Sequence, residues 1–141
     1  MADTYTVVGG NQVKLIDNGD GTYSAANAFA TKAHTFHSAA VEAADGAVFS
    51  VGTYRTLTVD IDGTVTSATV LFKYKGENGV YKTLKGMKVS DWSTGTTTAI
   101  ATTAAESWMF DVTGLSTVIM DISAIVPGEG GSLTIKGRAV A

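Results

Sequence analysis

The sequence predicts an all-β protein: an antiparallel β-sandwich, jelly-roll-like, preceded by an N-terminal hairpin arm. Three observations predict it. From Val48 onward apolar residues recur at every second position in short runs, as in Leu57, Val59, Ile61 and Val70, Phe72, Tyr74; alternation of this kind puts one apolar row on one face of each strand. The runs are separated by Gly, Asp, Asn and Ser, with sixteen glycines against a single proline, the punctuation of tight turns. Threonine and valine abound, while helix formers are scarce after Ala44; β-branched residues suit a pleated, half-buried surface. A sheet with one apolar face needs a second sheet to cover it.

Taken in order, residues 5–8, 13–16 and 22–25 read as short strands. Between the last two lies Asp17-Asn18-Gly19-Asp20-Gly21, a cluster tolerant of positive φ, so residues 13–25 read as a hairpin. Two strands alone are marginal in water, and such an arm must pack on the main domain, a neighbouring subunit or a partner. Residues 27–44 turn alanine-rich around His34, His37 and Glu42 and read as a helical turn or irregular linker. Eight strands follow, at 47–51, 54–61, 65–74, 80–89, 96–103, 107–112, 117–125 and 132–140, which is sandwich spacing. Residues 1–44 are thus expected to form the arm with its linker, and residues 45–141 the sandwich domain.

Alternation also nominates the core: Leu57, Val59, Ile61; Val70, Phe72, Tyr74; Trp108, Phe110, Val112; Val118, Met120, Ile122, Ala124; and Leu133, Ile135, Ala139. Ile119 and Ile125 fall on the opposite parity. Their strand is therefore buried on both faces or meets another subunit, and the subunit reading is preferred.

Composition limits the function. At 141 residues there is room for one domain with an appended arm. The absence of cysteine excludes disulfides and thiolate metal sites. A net charge of −3 with dispersed basic residues gives nucleic-acid binding little support. The lysines at 73, 75, 82, 85 and 88 read as a solvated strand face that discourages edge pairing. No apolar run is long enough to cross a bilayer, and residues 1–6 lack the basic start and apolar core of a signal peptide, so the expectation is a soluble protein made in the cytoplasm, with no membrane partner.

Candidate chemistry is sparse. His34 and His37 are spaced like neighbours on a helical turn, but no third ligand accompanies them, and a catalytic zinc needs three. No Gly-x-Ser-x-Gly elbow offers a nucleophile. Neither Asp60-Ile61-Asp62-Gly63 nor the 17–21 cluster keeps the ligand order of an EF-hand, so hairpin turns are the preferred explanation. Gly9-Gly10 and the glycines of 128–131 lack the strand-to-helix context of a phosphate loop. The expectation is a protein that is not an enzyme and has no metal or cofactor. Trp92, set among turn formers in Ser90-Asp91-Trp92-Ser93-Thr94-Gly95, is the most informative single residue. Such a ring stacks on a sugar, anchors an interface, or folds back to cap the sandwich; the last is preferred.

Two segments together carry a resemblance. Residues 13–24, Val-Lys-Leu-Ile-Asp-Asn-Gly-Asp-Gly-Thr-Tyr-Ser, resemble an N-terminal motif of small structural proteins of tailed bacteriophages and prophages. The Asp-Val-Thr-Gly-Leu turn at 111–115 and the closing Gly-Gly-Ser-Leu-Thr-Ile-Lys-Gly-Arg-Ala-Val at 130–140 resemble β-sandwich domains of phage head-decoration, fibre and tail accessory proteins. The resemblance implies a non-enzymatic virion component, most specifically a capsid decoration protein. It would bind the major capsid protein or another virion protein as a homo-oligomer, plausibly a trimer. Val13, Leu15, Ile16, Thr22 and Tyr23 are the expected attachment residues, by β-augmentation. The alternative is a carbohydrate-binding module of a tail or fibre that recognises host glycans through Trp92. Residues 27–44 match nothing in the resembled pattern.

Overall fold

A computed structural model describes residues 4–8, 11–17, 19–20, 23–25, 30–101 and 104–141. The chain divides into two compact units, Met1–Ala30 and Thr31–Ala141. The smaller holds β1 (Thr4–Val8), β2 (Asn11–Asp17) and β3 (Tyr23–Ala25) in an antiparallel sheet of order β1-β2-β3. Val8 lies opposite Asn11, and Asp17 opposite Tyr23. The hairpin expected over 13–25 is β2–β3, with Gly19 at φ 79° between them, and β1 adds a third strand.

The larger unit contains β4 (Thr31–Ala40), β5 (Phe49–Ser50), β6 (Thr56–Gly63), β7 (Ser67–Lys75), β8 (Tyr81–Thr83), β9 (Gly86–Lys88), β10 (Thr94–Gly95), β11 (Thr97–Ala101), β12 (Ala104–Asp111), β13 (Thr117–Val126) and β14 (Leu133–Val140). One sheet runs β10-β9-β12-β6-β14-β4; the other runs β11-β7-β13-β5, with β8 also on β7. The pairings are antiparallel, as the alternating sequence predicts, and the strand order, which the sequence leaves open, is now given. Between the sheets lies one apolar core. Leu57, Val59 and Ile61 of β6, Val70 and Phe72 of β7, Trp108 and Phe110 of β12, Val118, Met120 and Ile122 of β13, and Leu133, Ile135 and Ala139 of β14 are all buried in it. The expected inward rows are therefore correct at these positions, with Tyr74 packed partly buried at the margin.

Four expectations are corrected. Residues 31–40 form a strand, not a helical turn or linker, and they belong to the larger unit. Alanine favours a helix locally, but tertiary pairing overrides it: β4 pairs with β14 along its length, with register shifts on either side of Ile135. These shifts bury both Phe36 and His37 and put Ala39 at φ 48°, where its N–H donates to Thr134 Oγ1 at 3.0 Å. Bulges of this kind also blunt an edge strand against pairing with other chains. The stretch 41–50 then ties β4 to β13. Ala47 N–H donates to Phe36 O, His37 Nε2 donates to Met120 O at 2.6 Å, and Ala44 and Ile122 exchange backbone hydrogen bonds.

The strand expected at 80–89 breaks, whereas the one expected at 96–103 is present as β11, with residues 102 and 103 outside the described residues. Tyr81–Thr83 pairs with β7 in one sheet, whereas Gly86–Lys88 pairs with β12 in the other. The chain returns between Gly95 and Thr97. Ala124, expected inside, is exposed: a bulge between Ile122 and Ala124 shifts the register against β7, flips the parity and turns Ile125 onto the core instead. Ile119 is only 1 % exposed within this single chain, opposite Lys73 and beside the Lys73–Asp121 ion pair of 2.7 Å. Its burial requires no second subunit.

Candidate functional site

The excursion of residues 85–95 from one sheet to the other is where this fold places its most unusual surface. It begins and ends at one residue of β7: Leu84 N–H donates to Phe72 O at 2.8 Å, and Phe72 N–H donates to Thr96 O at 3.0 Å. The Phe72 ring reaches across the core, 4.9 Å from both Trp108 and Phe110 of the facing sheet. Gly86 and Gly95 lie opposite each other across the β9–β10 pair. Glycine is required at the first, since a Cβ there would stand 2.4 Å from Phe110 Cε1. The aromatic cluster thus seats the excursion directly on its rings.

At the tip stands Trp92. The residue is 63 % exposed, so the preferred expectation, a ring folded back as a cap, gives way to an outward one. Its φ is 61°, a left-handed conformation costing a bulky L-residue about 1–2 kcal/mol. The turn holds it there. Trp92 N–H donates to Lys88 O at 2.9 Å, and Lys88 N–H donates to Ser93 O at 2.8 Å. Asp91 Oδ1 accepts from both the backbone N–H of Ser93, at 3.0 Å, and its hydroxyl, at 2.6 Å. These two bonds hold the Asp91 carboxyl below its ordinary pKa. Asp91-x-Ser93 is an Asx-turn, a signature local to the sequence.

A polar chain runs inward from the turn. Lys88 Nζ lies 3.0 Å from Glu106 Oε1, and Glu106 also accepts from the buried Thr98 hydroxyl at 2.8 Å and 3.0 Å. The hydrogen bond and charge of Glu106 raise the Lys88 pKa above its ordinary value. This network was not foreseen, because nothing in sequence brings residues 88, 98 and 106 together. The lysine face reads differently as well: Lys73 and Lys88 are paired with acids, and Lys75 lies over the Tyr81 ring at 4.3 Å. Where the two ends of the excursion meet, an open groove of about 410 Å³ is lined by Gly86, Met87, Met109 and Phe110 together with Lys85, Thr94 and Asp111.

The other expected site residues are distributed as follows. Val13, Leu15 and Ile16 lie on β2, the central strand of the small sheet, and Tyr23 on β3; Thr22 lies outside the described residues. β2 is hydrogen-bonded to β1 on one side and to β3 on the other, so strand addition to a partner would proceed through β1 or β3. His34 and His37 sit on β4, and their Nε2 atoms engage different carbonyls, Ala47 O and Met120 O. Among the described residues no three His, Asp or Glu side chains gather as a metal site, and no helix is long and apolar enough to cross a membrane.

Comparison with known proteins converges on one family. Residues 30–139 match the XepA family. The SPbeta prophage-derived uncharacterized protein YomS of Bacillus subtilis (strain 168) is 36 % identical over 106 residues, 75 % of this chain and 84 % of YomS. The phage-like element PBSX protein XepA of the same strain is 35 % identical over 105 residues, 74 % of this chain and 36 % of XepA. The chain thus spans most of the first relative but about a third of the second. In structure, YomS superposes with a TM-score of 0.73 at 33 % identity, covering 82 % of this chain and 97 % of YomS. The PBSX exported protein XepA superposes with a TM-score of 0.78 at 32 % identity, covering 89 % of this chain and 44 % of XepA. The family match coincides with the larger unit almost end to end, and the chain belongs to the XepA family of phage-associated proteins.

Proposed function

We propose that this protein is a non-enzymatic structural and binding component of a phage particle, and in its most specific form a capsid decoration protein. It associates as a homotrimer and binds the major capsid protein or another virion protein, linking neighbouring subunits so that the shell resists internal pressure. One observation supports this above the others. The family match covers residues 30–139, while a separate three-stranded unit of thirty residues precedes it. A sheet so small buries little surface of its own and gains stability by joining a partner. The larger sandwich is then the shared body and the small sheet the attachment element, adding strands through β1 or β3.

The test mixes purified protein with undecorated phage capsids and measures binding. Saturable, symmetric attachment that is lost on deleting residues 1–30 supports the reading. Absence of attachment by the intact protein refutes it.

A second reading, a carbohydrate-binding module of a tail or fibre, is favoured by the outward ring of Trp92. The relative described as an exported PBSX protein also fits a role at a cell surface.

A further inference from the structure

We propose that the Trp92 turn is a preorganised binding site for the apolar face of a neutral pyranose ring, with Asp91 receiving a hydroxyl of the same sugar. This rests on the second reading above and specifies its site and ligand class. Four features of the turn point to it together. The ring is the largest exposed apolar surface of the described residues, and the other large exposed apolar side chains are all valines, at 41, 48, 80 and 126. The exposed residues flanking it in the turn, Ser90, Asp91, Ser93 and Thr94, are all polar, and the turn's one other apolar residue, Val89, is half-buried. Protein hot spots sit instead in packed, desolvated apolar surroundings. A single aromatic face amid hydroxyl and carboxylate groups matches a sugar, which offers one patch of C–H groups bordered by hydroxyls.

The turn is also fixed before any ligand arrives. Asp91 Oδ1 accepts both bonds from Ser93, which fixes an exposed carboxylate next in sequence to Trp92, and a carboxylate retains acceptor capacity beyond two such bonds. The left-handed φ at Trp92 is a conformation glycine would adopt without strain, so folding alone gives no reason for tryptophan at this position. Charge selects the sugar further. Lys88 lies within electrostatic reach of both Glu106 and Asp91, so two carboxylates face one ammonium and an anionic saccharide would meet net repulsion there.

The experiment compares wild type with Trp92→Gly, Trp92→Phe and Asp91→Asn. Binding is scored on an array of neutral, N-acetylated and uronic or phosphorylated oligosaccharides, with calorimetry on the tightest neutral ligand and thermal melts of each variant. Trp92 and Trp108 are the two tryptophans and Trp108 is buried, so acrylamide quenching reports Trp92. The expected result is neutral-sugar binding that shields Trp92 from acrylamide. It falls about tenfold or more in Trp92→Gly and is largely retained in Trp92→Phe. The melting temperature of Trp92→Gly should be equal to or above wild type, since glycine relieves the strained φ, whereas a structural cap would lose stability. Sugar binding untouched by Trp92→Gly would overturn the site while leaving the second reading standing. Preference for anionic sugars would overturn the ligand class. Absence of binding to any saccharide would overturn both.

Discussion

Truncating Phe72 to alanine tests the two-layer core and the seating of the functional turn in one substitution. The ring is fully buried and lies 4.9 Å from Trp108 and from Phe110, so it is the wedge of one sheet inserted between two aromatics of the other. Phe→Ala at such a site costs about 3–5 kcal/mol, because transfer energy is lost and rigid neighbours cannot close the cavity. Against the usual total of about 5–15 kcal/mol, that is a large fraction of the stability of the larger unit. For a unit of this size it corresponds to a fall in Tm of about 10–20 °C. Urea unfolding followed by circular dichroism and by fluorescence in a Trp92→Phe background measures it, with Trp108 as the sole reporter. The Trp108 emission should shift to the red even in the folded state, as its ring loses a partner. Phe72→Leu, which keeps most of the volume, should cost about 1–2 kcal/mol. The backbone adds a second expectation. Phe72 closes both ends of the excursion through its own N–H and C=O, so alanine preserves those bonds while loosening the rings beneath them. Amides of residues 85–95 should then exchange faster than those of β13. A loss below about 1 kcal/mol, or an unchanged Trp108 spectrum, would refute the reasoning, since the sheets could not then be interlocked through this ring.

Three further outcomes are expected. Gly86→Ala places a Cβ 2.4 Å from Phe110 Cε1 and should destabilise by about 1–3 kcal/mol in urea melts, whereas alanine at Gly76, which meets nothing within 4 Å and has no positive φ, should be near neutral. A chain starting at Thr31 should unfold cooperatively within a few degrees of the full-length Tm, and an unfolded product would contradict the division into two units. The pKa values of Lys73 and Lys88 are raised by the hydrogen bonds they donate to Asp121 and Glu106. Their stabilising effect is therefore complete below the ordinary lysine pKa of 10.5 and lost as pH rises through the raised values. Urea midpoints should fall above that pH, and less steeply in Lys73→Met.

Much of the architecture was legible because the larger unit obeys period two along strands that carry no bulge of their own. Leu57-Val59-Ile61 on β6 and Leu133-Ile135 with Ala139 on β14 are buried where alternation places them. It failed where long-range pairing inserts a residue. Nothing local distinguishes Ser123 as a bulge, yet that one residue sends Ala124 outward and Ile125 inward. β4 fails for a related reason: it has one large apolar residue, Phe36, amid alanine, threonine and histidine, so a strand stabilised by β14 and by the 41–50 stretch leaves no periodic trace. The break at Leu84 is equally silent, because a run of β-formers is the same whether it continues in one sheet or crosses to another.

The functional surface divides along the same line. That Trp92 lies at a turn follows from Ser90, Asp91, Ser93 and Gly95, and an Asx-turn is a local motif that sequence can specify. Whether the ring folds inward or outward is not local. It depends on where the excursion is seated, and the seat consists of Phe110 beneath Gly86, Trp108 near Gly95, and the two backbone bonds of Phe72. With the turn fixed from below, the space on the core side is already filled by aromatic rings, and the indole is left to solvent. A strained backbone opposes folding, an exposed ring gains nothing from it, and both fall on the same residue. Stability alone would replace this tryptophan by glycine. Its presence is therefore best understood through what the ring meets from outside, which makes the turn, rather than the sandwich that supports it, the place to look for a ligand.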